Sequence, residues 1–510
     1  MKKSLDKSLD YKKHFEGKRI TKQGFGFLGR GANVVKFLLE NGASVLVTDM
    51  KSEKDLGQSI KEVEDFIKEN NIDENRITYR LGEHRLEDFE KENCDYVVQA
   101  SGVPKDNIYL NHAKKSGVKI YQESSLFVEI IREFNLNQEE NNIIKIIGVT
   151  GTRGKTTTTF LIKKIIEDYL ENTNRKVYFG GNVQGVATLE NLKHVKSGDV
   201  IVMELDSWIL QGFADIGYSP DIAVFTNIMP DHMNYYKGDM QDYFHDKAAI
   251  FLNQRSEKNN TDVFVSTENI MLSMEKYLSD DELKDFYNKE NKKIFLNEEN
   301  ILEINNNFKS NLPGEHNKIN VALAITACKS FGVDDISIQK SLDDFYGVEG
   351  RLEKVRTLNG VDYINDTCAT TGDASIAALK SFATENQNTS KKIILITGGR
   401  DKELDMTNYV NTIIDFKNKN IIKEIILLSD ETTTGTRKLL EIFEKNNFKD
   451  YILVENLELA VTTARSVSEN GKESDAENII LFTPAFASFG MFQNEYDRGE
   501  KFNQAVSSLI

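Results

Sequence analysis

The feature that most constrains the fold of this chain is a series of short, uninterrupted apolar runs. They include SVLVTD (44–49), DYVVQAS (95–101), IIKIIGVTG (143–151), DVIVMEL (199–205) and DIAVFTNI (221–228). Further on come KIILITGG (392–399), EIILLSD (424–430), YILVEN (451–456) and NIILFTPA (478–485). Each has the length of one strand. Between most of them lie stretches with helical spacing, such as VVKFLLENG and TRKLLEIFEKN. A strand that is apolar throughout must be covered on both faces. The alternation therefore predicts an α/β protein built on parallel sheets with helices on both sides. No repeat of solenoid period accompanies it.

At 510 residues the chain is too long for one core. Two breaks divide it. Residues 133–142 (EFNLNQEENN) are polar and precede a new strand, as a linker would. Residues 345–350 (FYGVEG) carry two glycines between a helical and a strand pattern. Three domains are predicted, over 1–140, 141–349 and 350–510. The Asn-rich stretch 253–311 carries only weak helix signals and reads as an elaboration of the middle domain.

A formal net charge of −16 disfavours non-specific binding to nucleic acid. No apolar run approaches the roughly 18 residues that a spanning helix needs, so membrane insertion is not expected. The basic start MKKSLDKSLDYKKHFEGKR has no apolar stretch behind it and does not read as a secretory signal. Cys94, Cys328 and Cys368 form no CxxC pair, which points to a reducing, cytoplasmic setting without a zinc knuckle or disulfide framework.

Two glycine loops carry chemistry. In the first, Gly24-Phe25-Gly26-Phe27-Leu28-Gly29 is followed by a helical pattern and a strand ending in Asp49. Such glycines allow a tight turn and a close approach of backbone to phosphate, and an acidic residue after the next strand can hold a ribose. The strand before the loop is weak, because Ile20-Thr21-Lys22-Gln23 has one strongly apolar residue. A nucleotide ligand is favoured over pure packing, and which nucleotide stays open at this point.

The second loop is the stronger signal. The strand IIKIIGVT runs into Gly151-Thr152-Arg153-Gly154-Lys155-Thr156-Thr157 and then a helical run. Backbone N–H groups of such a loop cradle phosphates, the lysine neutralises β/γ charge, and the hydroxyl after it ligates Mg²⁺. Val149 stands where the general pattern has a glycine, so the loop is a variant. Glu204 ends the strand DVIVMEL, and Asp231-His232 follow the strand AVFTNI. Each alone reads as a polar strand-end residue. Next to a phosphate loop they read as a cation site.

These motifs, with Glu204-Leu205-Asp206-Ser207-Trp208, NIMPDHM (227–233), Gly314-Glu315-His316-Asn317, Gly350-Arg351-Leu352-Glu353 and Asn365-Asp366-Thr367, resemble the Mur ligase family in order and spacing, over nearly the whole chain. Within it, GFGFLGRG, GGNVQG (180–185) and TPAFASFGMFQNEYDRG look most like the branch that adds D-glutamate to UDP-N-acetylmuramoyl-L-alanine. The resemblance implies a Rossmann-like N-terminal domain, a central ATPase-type domain with a parallel sheet, and a Rossmann-like C-terminal domain. It implies an ATP-dependent acid–amino-acid ligase of peptidoglycan synthesis. Such an enzyme turns a carboxylate into an acyl phosphate, which the amine of the amino acid then attacks. Catalysis is then positioning and charge neutralisation, without a side-chain nucleophile.

Roles follow by motif position. Gly151, Thr152, Gly154, Lys155, Thr156 and Thr157 would hold ATP, with Asn317, Arg351 and Asp366. Thr156 would bind one Mg²⁺ and Glu204 with His232 a second. Gly24, Gly26, Gly29, Asp49, Ser101 and Gly102 would form the uridine diphosphate pocket, and Asn182 would contact the same substrate. Lys247, in DYFHDKAAIF, matches the family's carbamylated lysine. Thr370, Lys402 and Ser488 would bind D-glutamate. A monomer is expected. The chain departs from the D-glutamate pattern at Cys368, where lysine is usual, at Ile209 in place of a glutamine, and at Glu495 in place of an aromatic residue. Rival readings are a Mur-type ligase for another amino acid such as L-glutamate, an NAD-linked dehydrogenase built on GFGFLG, and an inactive Mur-like protein. Intact Lys155, Glu204, His232 and Asp366 argue against the last.

Overall fold

The computed structural model describes residues 9–26, 29–139, 142–183, 185–255, 262–385, 391–469 and 478–509. Phe27, Leu28 and Gln184, three letters of the motifs above, lie outside the described residues. The chain divides into two compact units. One comprises Met1–Asn307 with Asn320–Ser341, the other Phe308–Ile319 with Leu342–Ile510.

The first unit holds two sheets. Strands β1 (Arg19–Gln23), β2 (Ser44–Asp49), β3 (Ile77–Leu81), β4 (Tyr96–Gln99) and β5 (Lys119–Gln122) alternate with helices α1 (Arg30–Glu40), α2 (Glu53–Glu69), α3 (Ile108–Lys115) and α4 (Glu123–Asn135). They form a parallel sheet of order β3-β2-β1-β4-β5. The weak strand at 20–23 is thus its central member, paired with both β2 and β4. Local apolarity missed it because Thr21, Lys22 and Gln23 are polar yet buried.

The second sheet contains β6 (Lys145–Thr150), β7 (Val177–Gly181), β8 (Val200–Glu204), β9 (Ile222–Phe225), β10 (Val263–Thr267) and β11 (Lys292–Leu296). It is parallel, in the order β11-β10-β9-β6-β8-β7. Its helices are α5 (Lys155–Tyr169), α6 (Ser207–Asp215), α7 (Met240–Leu252), α8 (Glu268–Tyr277), α9 (Asp280–Asn288), α10 (Glu298–Asn307), α11 (Glu315–Phe331) and α12 (Asp335–Asp343). The Asn-rich stretch read as an elaboration therefore supplies two strands of the sheet itself, β10 and β11. The residues 133–142 read as a linker begin inside α4. One continuous core joins the two sheets, with Phe127 and Ile131 of α4 in the same apolar cluster as Leu210 and Phe213 of α6. Arg132 donates to the Ile216 carbonyl at 3.1 Å across that boundary.

The second unit is built on β12 (Glu353–Leu358), β13 (Val361–Asn365), β14 (Lys392–Thr397), β15 (Ile422–Leu428), β16 (Ile452–Val454) and β17 (Asn478–Phe482), in the order β12-β13-β17-β14-β15-β16. Only the β12–β13 pair is antiparallel. Successive side chains of a strand point to opposite faces, and both faces are apolar. Leu395, Leu427 and Leu481 join one core with α13 (Gly372–Glu385), α14 (Thr407–Asn418) and α15 (Thr434–Lys445). Ile396, Leu428 and Phe482, one residue further along each strand, join the other with α16 (Leu457–Glu469) and α17 (Glu495–Ser507).

Residues 308–319 group with the second unit rather than with the phosphate-loop segment. Asn311 donates to the carbonyls of Leu342 and Asp343 at 3.1 and 2.9 Å. A Cβ on Gly314 would stand 2.4 Å from the Ser381 hydroxyl.

Candidate active site

In a parallel sheet with helices on both faces, ligands gather at the carboxyl ends of the strands. In the second sheet these ends bring four motifs together. β6 runs into the phosphate loop, β7 into Gly181-Asn182, β8 ends at Glu204, and β9 leads to Asn227. Glu204 lies in register between Val149 on one side and Gly181 on the other. Gly181 has φ +76°, and a Cβ there would stand 2.1 Å from the Glu204 carbonyl oxygen. Only glycine lets the turn close, so the Asn182 N–H donates to that carbonyl at 2.7 Å. Glu204 is itself buried.

The phosphate loop is laced to the loop after β9. Thr152 N–H donates to the Asn227 carbonyl at 2.9 Å. Arg153 N–H donates to Asn227 Oδ1 at 2.9 Å. The Thr152 hydroxyl accepts from Met229 N–H at 3.0 Å. Thr152, expected from its motif to contact ATP, therefore also ties the phosphate loop to the loop after β9. At the start of α5 the first-turn N–H groups of Thr156 and Thr157 point along the helix axis, as at any helix N-terminus. They make an anion site. Gly154 caps the helix with φ 79°, and Lys155 Nζ donates to the Thr152 carbonyl at 3.1 Å.

His232 adopts φ 55°, a left-handed conformation that is uncommon outside glycine and concentrated at functional sites. Its ring lies 4.6 Å from that of Trp208 and its Nε2 3.8 Å from Asp231 Oδ2. Lys247, on α7, is buried and donates to the Gly151 carbonyl at 3.0 Å. Burial, and after it the charge of Lys155, pulls its ammonium down to about 7. Among the described residues no three His, Cys, Asp or Glu side chains form a metal cage. Mg²⁺ usually takes one or two protein carboxylates and completes its shell with phosphate and water, and buried Glu204, at the strand end beside the phosphate loop, is a carboxylate of that kind.

The first sheet carries a pocket of about 750 Å³, a size suited to a small-molecule ligand. Gly24, Gly26, Asp49, Ser101 and Gly102 line it as read from the sequence, together with Lys22, Gln23, His84, Gln99 and Tyr109. Asp49 has a second task. Its Oδ2 accepts from the N–H groups of Phe25 and Gly26 at 2.7 and 3.2 Å, and its Oδ1 from Lys51 N–H at 3.0 Å. These bonds hold its carboxyl below the usual range against the opposing effect of burial, the largest single influence on it. Gly29 caps α1 with φ 78°. The close helix-to-loop contact falls at Gly31, where a Cβ would stand 1.8 Å from the Phe25 carbonyl oxygen.

Arg30, the first residue of α1, reaches from this pocket to the second sheet. It donates to the Gly181 carbonyl at 2.9 Å and to Asn182 Oδ1 at 3.3 Å. Asn182 is thus tied to the glycine-loop helix as well as to Glu204.

In the second unit, Lys402 Nζ donates to Thr370 Oγ1 at 2.8 Å, so two of the three residues read as amino-acid contacts meet. The third, Ser488, follows Ala487, which exchanges two backbone hydrogen bonds with Arg400 at 2.9 and 3.1 Å. The Ser488 hydroxyl is buried without a hydrogen-bond partner. Asp366 is buried and accepts from Leu352 N–H at 3.2 Å and the Thr483 hydroxyl at 2.9 Å. Burial pushes its carboxyl up to about 7. Asn317 and Arg351 lie in the same unit. The Cys368 thiol is pushed up to about 11 by burial, so it stays protonated and is no nucleophile.

Sequence reading passed over Arg498. It is fully buried on α17 and donates to the Thr367 hydroxyl at 3.0 Å, the Thr367 carbonyl at 2.7 Å and the Phe486 carbonyl at 3.1 Å. It pins together the two loops that carry Thr370 and Ser488. It also passed over Lys22, Gln23, Gln99 and Arg30. The signal available was the polarity of Thr21-Lys22-Gln23 where a strand was required.

Phosphate-binding donors at a strand end, beside a buried carboxylate, are the equipment of an enzyme that uses a nucleoside triphosphate, and fold and site define that class here. Residues 149–328 match the model of the Mur ligase middle domain, and residues 350–486 that of the Mur ligase glutamate ligase domain. The UDP-N-acetylmuramoylalanine–D-glutamate ligase of Roseiflexus sp. (strain RS-1) is 32% identical over 97% of this chain and 99% of its own. The enzyme of the same name from Borreliella burgdorferi (strain ZS7) is 32% identical over 95% and 97%. In fold, the chain is similar to the crystal structure of the UDP-N-acetylmuramate–alanine ligase of Thermotoga maritima, with a TM-score of 0.50 and 18% identity over 96% and 99% of the two chains. The chain belongs to the Mur ligase family.

Proposed function

We propose that this protein uses ATP to join D-glutamate to UDP-N-acetylmuramoyl-L-alanine, in the cytoplasm and as a monomer, as a step in building the peptidoglycan precursor. The observation that carries the reading is the convergence described above, in which a phosphate loop, buried Glu204 and Asn182 are coupled through Arg30 to a nucleotide-sized pocket. The names of the relatives supply the particular amino acid and sugar nucleotide.

A carboxylate is a poor acyl donor because oxide would have to leave. Transfer of the γ-phosphoryl group from ATP makes an acyl phosphate, whose leaving group is phosphate. The amine then attacks, phosphate departs with the C–O electron pair, and the amine loses a proton. The chain's part is positioning and charge neutralisation. Lys155 and the first-turn N–H groups of α5 hold the β/γ-phosphates. Thr156 would hold one Mg²⁺ and Glu204 with His232 a second, and such ions would supply positive charge against that developing on phosphoryl and acyl oxygens. Asn317, Arg351 and Asp366 are ATP contacts of the second unit, and Thr370, Lys402 and Ser488 hold the amino acid there.

Lys247 suits carbamylation. An amine whose ammonium is drawn down to about 7 is largely neutral at physiological pH, and only the neutral amine attacks CO₂. The product is an anion with two oxygens beside the phosphate loop, able to orient a metal-bound group.

The test is incubation with ATP, Mg²⁺, UDP-N-acetylmuramoyl-L-alanine and a panel of amino acids, reading phosphate release and product mass. A product with D-glutamate and no other amino acid is expected. Preference for L-glutamate or for a neutral amino acid would overturn the substrate assignment. Phosphate release independent of the sugar nucleotide would overturn the reaction.

A further inference from the structure

Strand order in the first sheet reverses between β1 and β4. In parallel α/β sheets such a switch point opens the crevice where ligands bind. Gln23 and Gln99 are the last residues of these two strands and lie directly in register. Aligned residues of neighbouring strands share a face, and both glutamines line the 750 Å³ pocket. Both are almost completely buried, at 1% and 3% exposure, and the Oε1 of each has no hydrogen-bond partner. Buried amide oxygens are nearly always satisfied, because leaving one unpaired is destabilising. Two unpaired in register, at the strand ends where a ligand is held, are two acceptors waiting for donors.

From this juxtaposition we infer that Gln23 and Gln99 form an amide pair that reads an N–H or O–H donor of the ligand in the N-terminal pocket, and so help to set its specificity. The inference rests on the sugar-nucleotide reading of that pocket. Next to the pair, Lys22 Nζ donates to the carbonyls of Gln23 and Gly24 at 3.3 and 2.7 Å. Asp49 holds the N–H groups of Phe25 and Gly26 from the other side. The turn that presents Gln23 is therefore clamped by a cation at its carbonyls and an anion at its amides. This also accounts for Lys22 and Gln23 in a central strand where packing alone calls for apolar residues.

The donor could come from the uridine or from the sugar, and the ligands separate the two. Binding of UDP, UDP-N-acetylglucosamine and UDP-N-acetylmuramoyl-L-alanine is measured by calorimetry on the full chain and on Gln23→Met and Gln99→Met. Methionine keeps the length and removes the amide. A rise in Kd of about tenfold or more is expected for both variants, with ATP affinity unchanged. If the rise is present with UDP alone, the donor is on the uridine, and if only with the larger ligands, on the sugar. The apo variants should melt no lower than the parent, because an unsatisfied buried group is removed. Unchanged Kd for all three ligands in both variants would overturn the inference while leaving the proposed function standing. Failure of the parent chain to bind any of them would instead overturn the proposed function.

Discussion

The Lys247 ammonium on α7 donates to the Gly151 carbonyl at 3.0 Å, so a helix some hundred residues downstream closes onto the first residue of the phosphate loop. The contact holds the lysine in a buried position, beside the charge of Lys155, and there its ordinary protonated form is disfavoured.

Lys247→Ala should lose activity by about 10²-fold or more, with the fold retained. Short carboxylic acids, which restore an anion at the vacated position, should recover part of the rate. The parent protein in ¹³C-bicarbonate should show a carbamate carbon by NMR that the variant lacks. Full activity of the variant without added acid would remove this role.

Lys155→Ala should lower phosphate release by on the order of 10²-fold or more, because one charge leaves a phosphate cradle. Circular dichroism should show an unchanged fold. Near-normal turnover would sink the phosphate-loop assignment.

Asp366 gives the second unit a pH signature. Its carboxyl titrates near 7 when folded and near 3.8 when unfolded. Between these values the folded state holds a proton that the unfolded chain has released. This contribution is fully present below about pH 4 and is lost as the pH rises through about 7. Asp366→Asn keeps an acceptor for Leu352 N–H and carries no charge. Denaturant melts should find it more stable than the parent by about 2–4 kcal/mol at pH 8, with the gap closing towards pH 4. A gap that does not vary with pH would contradict the burial of this charge.

Lys402→Ala should raise the KM for D-glutamate by about tenfold or more, with ATP affinity unchanged, since one carboxylate contact is removed. The side chain is exposed, so stability should hardly change. Steady-state kinetics varying each substrate separates these outcomes. An unchanged KM would remove Lys402 from the amino-acid site.

Much of this architecture is legible in the order of residues. Apolar runs long enough for one strand each, alternating with helical spacing, dictate covered parallel sheets, because continuous apolar strands have nowhere else to go. The phosphate loop is equally local, since strand, glycines, lysine and helix are contiguous and their geometry follows from backbone conformation.

Other features were settled only in three dimensions. β1 is central although Thr21, Lys22 and Gln23 are polar, because its place between β2 and β4 comes from pairing with strands up to about eighty residues away. Thr152 is bonded to Asn227 and Met229, which approach from the loop after β9. Residues 308–319 belong with the second unit because Asn311 and Gly314 find their partners at 342–343 and 381. Arg498 became visible only once folding brought Thr367 and Phe486 to its guanidinium. Periodicity and turn chemistry act over a few residues and can be read along the chain. The partner that satisfies a buried polar group is chosen by topology, and the linear sequence does not display it.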